Sequence, residues 1–156
     1  MRVVHVDTPS RLHFGLIDLN GEVGRIDGSI GLALDGPGFS LTARAADEPS
    51  VEGAGPHAPR ALATLERLRA AWDVGSASLQ FTGSVPLHSG LGAGTQLILA
   101  VMHALAAIYD VALSQADVMR LSGRGGASGI GLHAFLHGGF IVDGGHKFPE
   151  RKQSYL

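Results

Sequence analysis

Short segments of alternating or continuous apolar residues occupy much of the chain before position 85. Segments of this length and composition, bounded by glycine, proline and polar residues, predict β-strands. Pro9 separates the first two of them. The predicted strands are "RVVHV", "LHFGLIDL", "SIGLAL", "FSLTAR" and "ASLQFTGS".

Helical periodicity begins after a polar stretch, "DEPSVEGAGPHAP", which we interpret as a surface connection. Proline at position 59 suits the first turn of a helix, and one face of that helix then carries the apolar side chains Leu62, Leu65, Leu68 and Trp72. A second segment, 97–113, is apolar nearly all round, which predicts a central buried helix.

The end of the chain contains a short helix and a further strand. Ser114 and Asp117 resemble a capping box for a helix through Leu121, and "GGFIVDGG" reads as a strand between glycine turns. Because strands dominate early and helices late, we expect an α+β fold, with helices packed on one face of a mostly antiparallel sheet.

Composition excludes several classes of protein. The 156 residues suit one domain, and a net charge of −2 gives no sign of affinity for nucleic acid or acidic membranes. The absence of cysteine excludes thiolate metal sites and fits a cytoplasmic location. The apolar segment 97–113 contains His103 and Asp110, so we interpret it as a core helix and not as a membrane span.

A glycine-rich loop precedes the apolar helix, in the stretch "PLHSGLGAGTQ". Unpaired N–H groups at a helix N-terminus favour anions, and glycines let the backbone approach phosphate oxygens closely. The loop is neither a Walker A motif nor a dinucleotide fingerprint. Considered alone, it fits a phosphate site about as well as a tight turn that binds nothing. The residues concerned are Gly90, Leu91, Gly92, Ala93, Gly94 and Thr95.

This loop resembles the second motif of the GHMP superfamily of small-molecule kinases, in which it wraps nucleotide phosphates. Three blocks in order, "TPSRLHFGLIDLNGEVGRIDGSIGLAL", "PLHSGLGAGTQ" and "GRGGASGIGLHAFLHGGFIVDGGHK", resemble the β-ribofuranosylaminobenzene 5'-phosphate synthase family within it. The resemblance implies a GHMP-type N-terminal domain over 1–147. It also implies that 148–156 begins the connection to a C-terminal domain.

The resemblance implies a transferase of tetrahydromethanopterin biosynthesis. Such an enzyme joins 5-phosphoribosyl 1-diphosphate to 4-aminobenzoate or 4-hydroxybenzoate and releases pyrophosphate and CO2. It implies Mg²⁺ as cofactor, a cytoplasmic homodimer, and no nucleic-acid or membrane partner.

Position 131 bears on the choice between this reaction and phosphoryl transfer. Several GHMP kinases place a catalytic aspartate where "SGIGLHAFLHGG" has Gly131, and glycine can neither accept nor orient a proton. This disfavours a kinase. An ATP-dependent small-molecule kinase and a non-catalytic half-domain that binds a phosphate ligand remain the alternatives.

Side chains near the glycine-rich blocks are the candidates for chemistry. Arg11 and His13 lie two apart on a predicted strand and so share a face. Arg25 and Arg124 could grip phosphate or carboxylate groups through a guanidinium fork. Asp27 could hold Mg²⁺ together with Thr95.

The remaining candidates are assigned to the substrate. His133 is a candidate catalytic residue, with a core histidine as the alternative. A zinc pair with His137 is disfavoured, because no Glu follows His133 as in His-Glu-x-x-His. The other predicted substrate contacts are Asp18, His88, Ser128, His146 and Lys147.

Overall fold

A computed structural model describes residues 2–18, 21–22, 24–122 and 129–147. Within these ranges the strands are β1 (Val3–Asp7), β2 (Ser10–Asp18), β3 (Arg25–Ile26), β4 (Gly28–Leu34), β5 (Ser40–Ala46), β6 (Ser50–Glu52), β7 (Ser76–Gly83), β8 (Phe140–Asp143) and β9 (His146–Lys147). The helices are α1 (Ala58–Trp72), α2 (Ala93–Ile108), α3 (Gln115–Leu121) and α4 (Ile130–His137).

The strands form three sheets. The largest has the order β1-β5-β7-β6, antiparallel except for the β6–β7 pair, which is parallel. A second sheet, β2-β4-β8, is antiparallel throughout, and β3 pairs with β9 in a short ribbon. The mostly antiparallel α+β fold is therefore confirmed, although the strands divide among three sheets.

Helix α2 is the centre of the core. It packs against α1, α4, β1 and β5, and its side chains from Leu97 to Leu105 are almost all buried. This burial explains why its sequence is apolar nearly all round. The helix ends at Ile108, earlier than the apolar segment suggests, because Asp110 adopts a left-handed backbone conformation. No helix in the described ranges has the length and apolarity that a bilayer crossing requires.

Two further predictions have clear outcomes. The capping box is confirmed, because the Ser114 hydroxyl accepts a hydrogen bond from the Asp117 backbone N–H at 3.1 Å. The interpretation of 47–59 as a plain surface connection is wrong in part. Its residues Ser50–Glu52 form β6, and a 3-10 turn at Gly55–His57 leads into α1. A three-residue strand held by backbone pairing leaves little periodic signal in the sequence.

The sheet β2-β4-β8 has α4 on its inner side. A Cβ on Gly31 would lie 2.2 Å from Ile130 Cγ2, so glycine allows the helix to approach the sheet closely. The opposite side, which we call the outer sheet face, carries Leu12, Leu32 and Phe140 in one register row and Ile30 and Val142 in the next. Phe140 and Val142 are each 64% exposed.

Candidate functional site

The glycine loop connects β7 to α2. His88, Gly90 and Gly92 all have positive φ angles, of 55°, 75° and 82°. Gly92 is the N-cap of α2, and its carbonyl accepts hydrogen bonds from the N–H groups of Thr95 and Gln96. The N–H groups of the first helical residues have no carbonyl one turn earlier to bond, so they are available to an anion.

Arg11 fastens this loop to β2. Its backbone N–H donates to the Leu91 carbonyl at 3.0 Å, and its guanidinium donates to the Gly90 carbonyl. A Cβ on Gly92 would lie 3.2 Å from three atoms of the Arg11 side chain. The loop and the arginine therefore pack as one unit, and both the φ of 82° and this contact disfavour a side chain at position 92.

A cavity of about 380 Å³ opens on one side of the loop. Its polar side chains are Arg11, His13, Thr95 and Ser122, and its apolar wall is formed by Leu99, Met119 and Leu132, with Gly90, Gly129 and Gly131 completing the lining. We call this the first cavity. It combines a cation, hydroxyl groups and an apolar wall, which suits a small aromatic anion.

His13 reaches the first cavity from the same side of β2 as Arg11. Its Nδ1 accepts the Gly15 backbone N–H at 3.2 Å, at a position where β2 carries an irregularity opposite β4. An Nδ1 that accepts a hydrogen bond leaves the proton of the neutral ring on Nε2. Because both side chains line the first cavity, the prediction that Arg11 and His13 share one face of β2 is confirmed.

Gly131 lies at the crossing of α4 and α2. A Cβ on this residue would be 3.1 Å from Thr95 Cγ2, and the Gly131 carbonyl accepts a buried hydrogen bond from Gln96 Nε2 at 2.9 Å. Since both Gly131 and Thr95 line the first cavity, a side chain at position 131 would project beside the end of the glycine loop.

A second cavity, of about 400 Å³, lies on the other side of the loop, and Gly90 borders both. It is lined by the loop residues from Pro86 to Gly94, by His88 among them, and by Pro56, His57 and Arg60 at the start of α1. His57 is buried, and its Nε2 donates to the Val85 carbonyl at 2.7 Å.

Sequence reasoning missed Arg60 and His57 because their distance from the loop depends on how α1 packs. Pro59 did signal the start of that helix, so the first-turn position of Arg60 could have been read from the sequence. The residues that surround Arg60 in the fold could not have been read from the sequence.

Other predicted site residues lie away from both cavities, in the ribbon of β3 and β9. The Arg25 guanidinium donates to the carbonyls of Gly144 and Gly145, each at 2.6 Å. His146 and Lys147 are the β9 partners of Ile26 and Arg25. The ribbon thus brings three of the predicted residues together, but not with the glycine loop.

Asp27 and His133 also lie outside the cavity linings. Asp27 is buried between β3 and β4, with a φ of 63°. The His133 ring stacks on His137 at 5.7 Å and packs close to Gly129. Asp143 holds this region, since its carboxylate accepts the N–H groups of Gly129 and Gly145 at 2.6 and 2.9 Å.

Three predicted residues cannot be placed fully. Arg124 and Ser128 lie outside the described residues, and Asp18 is described by its backbone at the end of β2. In the part of the chain that the structure covers, no group of three or more histidine or acidic side chains could hold a metal ion. Mg²⁺ commonly binds one or two carboxylates together with substrate phosphates. Of the two residues predicted to hold it, Thr95 lines the first cavity and Asp27 does not.

His103 lies on α2, outside both cavities, and its pKa is shifted. Its ring packs against Phe135, with centroids 4.9 Å apart. Partial burial lowers the pKa of His103 below its ordinary value of 6.5, because the charged ring loses hydration.

Comparison with known proteins gives a consistent result. The pattern of the family described as "GHMP kinases N terminal domain" matches residues 59–139. A beta-ribofuranosylphenol 5'-phosphate synthase from Methanocaldococcus jannaschii is 39% identical, over 94% of this chain and 48% of its own length. A protein of the same name from Archaeoglobus fulgidus is 38% identical, over 96% and 48%. The chain spans about half the length of the curated relatives it matches.

Solved structures share the fold at low sequence identity. The mevalonate kinase of Methanococcus jannaschii superposes with a TM-score of 0.66 at 13% identity, covering 90% of this chain and 53% of the kinase. A homoserine kinase from Cytophaga hutchinsonii gives 0.63 at 20% identity, covering 91% and 48%. These similarities concern the fold alone.

Proposed function

The chain belongs to the GHMP kinase family, and from that premise we propose that it carries the phosphoribosyl-transfer site of a β-ribofuranosylphenol 5'-phosphate synthase. The proposed substrates are 5-phosphoribosyl 1-diphosphate and 4-hydroxybenzoate. The relatives are named as ribofuranosylphenol synthases, which favours the hydroxy acceptor over 4-aminobenzoate.

The diphosphate of the donor binds at the glycine loop. The positive φ angles of Gly90 and Gly92 expose backbone N–H groups at the start of α2, and the helix dipole adds partial positive charge there. Because these groups are fixed before the substrate arrives, they stabilise the charge that develops on the leaving pyrophosphate. Mg²⁺, held by the diphosphate and the Thr95 hydroxyl, would supply further charge neutralisation.

The aromatic acid binds in the first cavity. Its ring packs against Leu99, Met119 and Leu132, and its carboxylate faces Arg11. A guanidinium retains donors after one hydrogen bond to a carbonyl, so Arg11 can hold the loop and the acid together. Shared contact with Arg11 brings the acceptor ring beside the diphosphate, and this positioning is a large part of the catalysis we infer.

The reaction then needs no protein nucleophile. The bond from ribose C1 to the diphosphate oxygen breaks, and pyrophosphate leaves with the electron pair. The ring carbon that bears the carboxylate attacks C1, assisted by electron donation from the para hydroxyl. The carbon–carboxylate bond then breaks, its electron pair restores the aromatic ring, and CO2 departs.

The observation that carries this proposal is the first cavity, where Arg11 and an apolar wall adjoin the glycine loop. The test supplies the complete polypeptide with 5-phosphoribosyl 1-diphosphate, Mg²⁺ and carboxyl-labelled 4-hydroxybenzoate, and measures released CO2. Parallel reactions contain 4-aminobenzoate, or ATP with mevalonate or homoserine. Release of CO2 with either benzoate supports the proposal, and ATP-dependent phosphorylation without CO2 release contradicts it.

A further inference from the structure

The second cavity has the character of an anion site. Arg60 lies in the first turn of α1, exposed at the cavity, and none of the ion pairs among the described residues involves it. No aspartate or glutamate occurs among the residues that line this cavity. The lining also contains His88 and the backbone of the glycine loop, and two helices, α1 and α2, begin beside it.

This cavity differs from the first one in chemistry. Both contain a guanidinium, an imidazole and a hydroxyl group, but the first also has a wall of leucine and methionine side chains, whereas most residues that line the second belong to the loop from Pro86 to Gly94. The Nε2–H group of His57 already donates to the Val85 carbonyl, and this hydrogen bond holds the ring in place. A guanidinium with imidazole and N–H donors around it is typical of phosphate binding.

We propose that the second cavity binds a phosphomonoester, the 5-phosphate of the ribosyl donor, with Arg60 as its cationic ligand. This inference rests on the proposed function. The donor carries anionic groups on both sides of its ribose, a diphosphate at C1 and a phosphate at C5, and therefore needs two anion sites separated by a sugar. The second cavity offers both, because the loop residues from Gly90 to Gly94 at the start of α2 line it together with Arg60.

The proposal makes Arg60 a specificity determinant. Binding of ribose 5-phosphate depends on it, whereas binding of inorganic pyrophosphate at the loop does not. Arg67 provides a matched control, since it is an exposed arginine on the same helix that lines neither cavity.

The experiment is calorimetric titration of the complete polypeptide with ribose 5-phosphate and, separately, with inorganic pyrophosphate. Arg60→Gln is expected to weaken ribose 5-phosphate binding about tenfold or more, the usual effect of losing one charge-assisted hydrogen bond, and to leave pyrophosphate affinity within about twofold. Arg60→Lys is expected to give an intermediate loss for ribose 5-phosphate, and Arg67→Gln no change for either ligand.

Unchanged ribose 5-phosphate affinity in Arg60→Gln overturns the inference, and so does an equal loss for both ligands, which would assign Arg60 to the diphosphate. CO2 release from the wild-type protein tests the proposed function separately. If Arg60→Gln loses ribose 5-phosphate binding but the wild-type protein releases no CO2, the phosphate site is supported and the proposed reaction is contradicted. If the wild-type protein releases CO2 and Arg60→Gln releases it equally well, the reaction is supported and the phosphate site is contradicted.

Discussion

A carboxylate at position 131 would distinguish the proposed phosphoribosyl transfer from the alternative, ATP-dependent phosphoryl transfer. In Gly131→Asp the new side chain starts 3.1 Å from Thr95 Cγ2, at a position that lines the first cavity, close to the loop that we infer to hold the diphosphate. Two unit charges 4 Å apart repel by about 4 kcal/mol at an effective dielectric constant near 20. A repulsion of that size corresponds to a loss of roughly 1,000-fold in affinity for the donor.

The steric part of this change needs its own controls. Gly131→Ala tests the Cβ alone, for which crowding against Thr95 is offset by the better helix propensity of alanine, about 1 kcal/mol. Gly131→Asn has nearly the shape of aspartate without the charge. The difference between the Asp and Asn variants therefore measures the electrostatic effect.

The assay is calorimetric binding of 5-phosphoribosyl 1-diphosphate, with CO2 release and ADP formation measured on the same samples. Melting temperatures establish that each variant folds. We expect the Asp variant to lose CO2 release and to form no ADP, while the Asn variant keeps most of its donor affinity. Equal affinities for Asp and Asn, or a gain of ATP-dependent phosphorylation in the Asp variant, would refute the reasoning.

Three other changes test separate parts of the molecule. Gly92→Val forces a β-branched residue to a φ of 82° and against Arg11, so phosphoribosyl diphosphate binding should weaken by about tenfold (1–2 kcal/mol of strain) while the circular dichroism spectrum stays native; undiminished affinity would contradict the loop assignment. The outer sheet face should make the isolated chain self-associate, and Phe140→Glu should shift it to monomers in sedimentation velocity; a wild-type chain that is monomeric at high concentration would count against this. Because burial lowers the pKa of His103, the unfolded chain binds its proton more readily, so stability should decline as the pH falls below the ordinary value of 6.5. Thermal melts at neutral and mildly acidic pH should show that His103→Gln flattens this dependence, and equal slopes would disprove it.

The features predicted well from the sequence are those fixed by local rules. The glycine loop, the start of α1 with a proline in its first turn and the capping box at Ser114 each depend on residues within about four positions of one another. The pairing of Arg11 with His13 follows from strand alternation. These local features are present in the structure because the tertiary packing is compatible with them.

The features that the sequence did not reveal depend on contacts between distant segments. Arg25 is 119 residues from Gly144, and its guanidinium binds carbonyls in the ribbon, where only the fold could bring them together. Arg60 is distant in sequence from the loop that it faces across the second cavity. A glycine-rich neighbourhood indicates that an arginine lies near accessible backbone. It does not indicate whether the arginine forms hydrogen bonds with that backbone or with a ligand.

Strand β2 joins two surfaces of the molecule through a single pleat. Arg11 and His13 point to the first cavity, whereas Leu12 lies between them on the outer sheet face. If a partner that docks on that face changes the twist of β2, it would move the guanidinium that anchors the glycine loop and so would change the affinity for the proposed anion. Thermodynamic linkage makes the effect reciprocal: the bound anion must change the affinity for that partner by the same factor.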